Sequence, residues 1–198
     1  MAVPFPRRFR FWHALALAGV LSFTTLAAQE TWRAYSFGGE KLSLGGVDNF
    51  GRVTAQLYRG AQPEAEGFAQ LKKLGVDTVV RLSLGDEGAA AEREQVEALG
   101  MQFVAIPWST ARAPEREKVL AFVTLMRDHP DKTVFVHCKR GADRTGVFVA
   151  AYRIAFDHWT PTQAVSEMNA FHYHYLFLPH LQRYVEAIPT WLVTEPAL

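Results

Sequence analysis

Apolar residues recur along the chain in two alternating rhythms. Short runs rich in β-branched and aromatic residues read as buried strands: Asp77-Thr-Val-Val-Arg-Leu82, Gln102-Phe-Val-Ala-Ile106 and Val134-Phe-Val136. A shorter strand is predicted over Thr54–Arg59 and broken by Gly60-Ala-Gln-Pro63. Between the strands the spacing turns helical. Phe68, Leu71 and Leu74 line one face of Glu64–Leu74, and Gly75 closes it. A polar-faced helix over Glu87–Leu99 stops at Gly100. Val119, Phe122, Val123 and Met126 form the stripe of a helix with Pro114 in its first turn. Further helices are predicted from Arg144 to Phe156, from Thr160 through Met168, and from Pro179 to Ile188. Strands alternating with helices predict an α/β fold: a mainly parallel central sheet flanked by helices on both faces.

Composition bounds this picture. The chain has 198 residues, 49% of them apolar, enough for one globular domain with a substantial core. No internal repeat is visible. A net charge of +1 gives no electrostatic case for nucleic acid as a partner. The amino terminus is uneven. Arg7, Arg8 and Arg10 precede an apolar stretch, Phe11–Ala27, and no acidic residue comes before Glu30. With small residues at Thr25, Ala27 and Ala28, residues 1–28 read as an export signal, or as an uncleaved membrane anchor of near-spanning length. Residues 29–48, rich in Gly and Ser, read as a linker and domain edge. The domain follows over 49–190, with a tail at 191–198. A single cysteine, Cys138, excludes an internal disulfide, and none near residue 28 argues for a lipoprotein.

The chemistry is carried by Val134-Phe-Val-His-Cys-Lys-Arg-Gly-Ala-Asp-Arg-Thr-Gly146. A strand runs into a tight, glycine-bearing loop and then an apolar helix. In that arrangement backbone N–H groups converge with the helix N-terminus on a bound anion. Cys138 opens the loop and Arg144 closes it. The cradle favours the thiolate, and the guanidinium can grip two phosphate oxygens. A thiolate facing a bound phosphate invites nucleophilic attack on phosphorus.

The stretch His137-Cys-x-x-Gly-x-x-Arg-Thr-Gly146 resembles the signature of the cysteine-dependent protein tyrosine phosphatase superfamily. Its wording is similar to the small bacterial dual-specificity branch, related to the plant-and-fungal atypical group. Leu57-Tyr-Arg-Gly-Ala-Gln-Pro63, Leu74–Leu82, Tyr152-Arg153, Trp159 and Glu167-Met168 extend the resemblance over roughly residues 49–185. It implies a protein tyrosine phosphatase/dual-specificity phosphatase-like fold and phosphomonoester hydrolysis through a phosphocysteine on Cys138, with no metal or cofactor. Arg144 and the loop from Lys139 through Arg140, Gly141, Ala142 and Asp143 would hold the phosphate. Thr145 would assist the departing thiolate or cap the following helix. His137 would position the loop, and Gly141 and Gly146 would permit its turns. Substrates would be phosphorylated proteins, small phosphomonoesters, or lipid and inositol phosphates. The rivals are a catalytically idle phosphate-binding module, a sulfur-transfer or arsenate-reducing enzyme, and an interaction protein held at the membrane by its amino terminus. The chain would act as a monomer, in the periplasm or anchored to the inner membrane facing outward.

The general acid is less clear. Larger families place an aspartate on a separate loop, here Pro107–Pro114, which holds no carboxylate. Asp143 is the first candidate, against a role bracing the loop; Glu115, Asp86 and Glu87 follow. Lys139 and Arg140 make the loop positive, for polyphosphorylated substrates or simply toward solvent. Arg59 and Arg81 stand near strand ends, able to reach the mouth or to pair with acids. His172 and His174, within Phe171–Phe177, are too few for a metal site, and aromatic packing beneath the loop is the expectation.

Overall fold

The computed structural model describes residues 39–85 and 88–192, all in one compact unit. Six strands form one sheet in the order β1-β2-β3-β6-β4-β5. They are β1 Glu40–Lys41, β2 Gly51–Arg52, β3 Leu57–Gly60, β4 Thr78–Arg81, β5 Gln102–Ala105 and β6 Val134–His137. β3, β6, β4 and β5 run parallel, and β1 and β2 add an antiparallel edge beside β3. The helices are α1 Ala65–Lys73, α2 Ala89–Ala98, α3 Arg116–Asp128, α4 Asp143–Phe156, α5 Pro161–Ala170 and α6 Pro179–Leu192.

The period-two alternation of the central strands sorts their side chains between two cores. Val80, Val134 and Val136 face the larger one, with Phe122 and Val123 of α3, Val147, Phe148 and Ala151 of α4, Met168 of α5 and Leu181 of α6. Val79, Phe103 and Phe135 face the other, with Phe68 and Leu71 of α1 and Val96 of α2. Helix α4 is apolar nearly all round, as a helix sandwiched between a sheet and other helices must be. Gly146 lets α5 approach: a Cβ there would lie 3.1 Å from Met168 Cγ.

Several boundaries move. Part of the stretch read as a linker is folded, with β1 paired to β2 and Val47 buried. Residues 53–56 bend rather than extend, so β3 starts at Leu57. Pro114 lies just outside α3, whose N-cap is Glu115. Helix α6 continues past Ile188 through Pro189, and Trp191 and Leu192 of the expected tail are buried. At α5 the sequence signal is literal: Thr160 and Gln163 form a reciprocal capping box, with Pro161 in the first turn. The stretch 1–28 expected to be a leader or anchor, Asp86, Glu87 and residues 193–198 lie outside the described residues.

Candidate active site

Strand β6 is central, flanked by β3 and β4, and it ends at His137. Cys138 therefore stands at the carboxyl end of a parallel strand, where open α/β sheets hold their ligands. The chain turns back through Lys139–Ala142 and enters α4 at Asp143. Gly141 makes the turn at φ +67°. A Cβ on it would stand 2.4 Å from the Gly60 carbonyl carbon, so both conformation and space demand glycine.

No side chain caps the N-terminus of α4. Among the described residues no N–H from Lys139 to Arg144 donates to another backbone or side-chain group. These donors converge with the positive end of the helix, which is what an anion requires. Cys138 is buried in this cradle. Arg144 is half-buried, and its Nε has no partner among the described residues. Thr145 is fully buried with an unpartnered hydroxyl. It lies inside the first turn of α4 and is not its cap.

A second tier holds the loop. His137 Nε2 lies 2.8 Å from Glu92 Oε1, which ties the end of β6 to α2. Glu92 also accepts from Gln62 Nε2 at 3.0 Å. Arg81 Nε stands 2.9 Å from Glu92 Oε2, an ion pair at an angle too oblique for a hydrogen bond. Arg81 Nη1 donates instead to the carbonyls of Ser83 and Gly85. Arg81 is thus one of the salt-bridged alternatives and not a free cation at the mouth.

Arg59 lies beneath the loop, fully buried. Its Nη2 donates to the Gly141 carbonyl at 3.0 Å, and its guanidinium stacks 3.9 Å from the Phe171 ring centroid. Burial pulls its pKa down to about 10. The negative charges of Glu167 and Cys138 offset part of that, and Arg153 adds to it. Glu167 is engaged bidentately by Arg153 at 2.9 Å and accepts the Gly39 N–H.

The acid candidates separate clearly. Asp143 is buried, and its carboxylate accepts the backbone N–H of His174 at 2.9 Å and faces the ring Nδ1 at 3.0 and 3.1 Å. Arg140 Nη1 stands 3.3 Å from His174 Nε2, so that nitrogen is an acceptor and the ring proton sits on Nδ1, toward Asp143. Through this pair Asp143 ties the first turn of α4 to the segment that carries His174. Glu115 is exposed at the N-cap of α3; its own backbone N–H and then Lys118 hold its carboxyl below the usual range. Lys139 and Arg140 are exposed. His172 is bound to Lys41 and His174 to Asp143, and no three ligating side chains converge among the described residues. Phe171, stacked on Arg59, and Tyr173 are buried, while Tyr175, Leu176 and Phe177 are exposed, against expectation.

Sequence reasoning missed Glu92, which sits on a helix whose other charges face water. It also missed Asn49, whose amide donates to the carbonyls of Arg140 and Phe171. Neither carries a local signal, because each acts on residues distant in the chain.

Cysteine-dependent phosphatases use such a loop, and the class is narrowed by similarity. The family described as DSP-PTPase phosphatase fused to NAD+ kinase matches residues 46–174, and the chain belongs to it. The dual specificity protein phosphatase TpbA of Pseudomonas aeruginosa is 33% identical over 121 residues, covering 61% of this chain and 53% of that protein. The chain thus spans about half the length of that curated relative. A probable tyrosine-protein phosphatase of Dictyostelium discoideum, DG1060, is 27% identical over 152 residues, 74% of this chain and 89% of that one. The crystal structure of P. aeruginosa TpbA superposes with a TM-score of 0.67 at 25% identity, covering 81% of this chain and 98% of that one.

Proposed function

We propose that this chain hydrolyses phosphomonoesters through a phosphocysteine on Cys138, in the manner of dual-specificity and tyrosine phosphatases. The observation that carries the reading is the loop itself: a buried thiol among unengaged N–H donors, closed by an arginine whose Nε is also unengaged. The Cys138 thiolate attacks phosphorus, the P–S bond forms as the P–O bond to the leaving group breaks, and water later cleaves the phosphocysteine. Charge on the three equatorial oxygens is met by the loop N–H groups and Arg144, already oriented before reaction. The unpartnered Thr145 hydroxyl donates to the thiolate as it leaves in the second step. Asp143 holds the rim in place through His174. A phosphotyrosine side chain is a reasonable substrate headgroup, since TpbA has been solved in complex with pTyr. The arginine-flanked leader supports export to the periplasm.

The test is phosphate release from para-nitrophenyl phosphate by the full chain beside its Cys138→Ser variant. Release that disappears in the variant is expected. Equal release from both would remove Cys138 from the mechanism, and none from the folded, reduced wild type would favour the phosphate-binding module.

A further inference from the structure

Three consecutive large apolar side chains stand in water at the rim of the loop. Tyr175, Leu176 and Phe177 are 55%, 72% and 80% exposed, whereas most other large apolar groups among the described residues are buried. Scattered exposed leucines need no explanation, but a contiguous patch of this kind marks an interaction site.

The tip is held firmly at its base. His174 is tied to Asp143 in the first turn of α4, and the N–H groups of Phe177 and Leu178 donate to the His174 carbonyl at 3.0 Å. The Tyr173 hydroxyl donates to the Leu178 carbonyl and accepts from Gln182. Cations surround this base. Arg140 meets His174, Lys41 Nζ lies 3.1 Å from His172 Nε2, and Lys139 is exposed beside Arg140. Asn49 joins the Arg140 and Phe171 carbonyls, so Lys41, the phosphate loop and the tip share one rim. Of the nearby acids, Asp143 is buried and turned toward His174, Glu40 is paired with Arg52, and Glu186 on α6 accepts from Gln182.

An apolar projection ringed by cations complements a surface with negative headgroups above hydrocarbon. We propose that this rim docks on an anionic phospholipid bilayer. Tyr175–Phe177 enter the headgroup–acyl boundary, and Lys41, Lys139 and Arg140 meet lipid phosphates. The docking needs no turnover, so it stands or falls apart from the catalytic reading.

The probe is the full chain carrying Cys138→Ser and Phe177→Cys, with an environment-sensitive fluorophore on its one thiol. A matched control carries Glu94→Cys on the exposed face of α2. On vesicles of mixed phosphatidylglycerol and phosphatidylcholine the label at 177 blue-shifts and is quenched by nitroxide lipids. At position 94, and on phosphatidylcholine alone, it does not. Adding Lys41→Gln or Lys139→Gln weakens vesicle affinity about fivefold each. A label at 177 that stays in water while the chain sediments with anionic vesicles would assign binding to the amino-terminal apolar segment and overturn the proposal. So would a shift induced only by a phosphopeptide with apolar flanks, which makes the rim a peptide-docking surface.

Discussion

Arg59 is the side chain in this site that is hardest to justify by stability. Two of its guanidinium nitrogens, Nε and Nη1, have no partner among the described residues, and burial holds its pKa near 10. Taking a guanidinium out of water with two of its nitrogens unpaired costs stability, which its remaining contacts offset only in part. What Arg59 does make, besides its stacking on Phe171, is the bond to the Gly141 carbonyl, which holds that peptide in the middle of the phosphate loop. For Arg59→Met we therefore expect a melting temperature unchanged or raised, and kcat/KM lower by about tenfold or more, the worth of one charged hydrogen bond. The pH dependence has a defined sign. Above about pH 10 the folded chain releases this proton while the unfolded chain keeps it, so Arg59 adds stability as pH rises there and loses it as pH falls back. The wild-type minus variant stability should climb over that alkaline window. A variant that loses stability and activity together at neutral pH would make Arg59 a structural residue instead.

At the scale of elements, the strands and helices were legible because each long segment keeps a single hydrophobic period. Cys138 and Arg144 were legible because their geometry is local: strand, turn and helix follow one another. The supports were not. Arg59 and Gly141, Glu92 and His137, and Asp143 and His174 meet only after the sheet and helices assemble. The last pair links the first turn of α4 to the segment between α5 and α6, and it gives the bracing alternative for Asp143 a partner that local sequence could not name. Asp143→Asn keeps one acceptor oxygen and loses the charge that holds His174. Turnover of an activated aryl phosphate and of an alkyl phosphate should then fall by the same factor, about tenfold. A much larger loss on the alkyl ester, whose leaving oxygen needs the proton, would return Asp143 to the role of general acid.

At the scale of the whole molecule, the described fold opens earlier than the hydrophobic periodicity indicates. Two-residue strands are too short to show any alternation, so β1 and β2 were invisible and the domain was expected to open at residue 49. Yet the preceding residues close one edge of the sheet. Val47 is buried against Gly60 and Gly67, Gly46 accepts from the Glu64 N–H at 2.9 Å, and Asp48 accepts from the Ala61 N–H at 2.8 Å. The Ala61 bond pins the turn after β3, on which Arg59 and Gln62 depend for their reach to the phosphate loop and to Glu92. Removing residues 39–48 forfeits about 2 kcal/mol of Val47 burial and about 1 kcal/mol for each of those two hydrogen bonds. A chain of residues 49–198 should therefore melt roughly 10 °C below one of residues 39–198. Its turnover of para-nitrophenyl phosphate should also fall at temperatures where both remain folded, because the Gly60–Ala61 backbone supports Gly141 directly. Equal melting temperatures would show that β1 and the segment through Asp48 are an ornament on a sheet already complete at β2. Equal stability with lower turnover would instead confine their role to holding the loop.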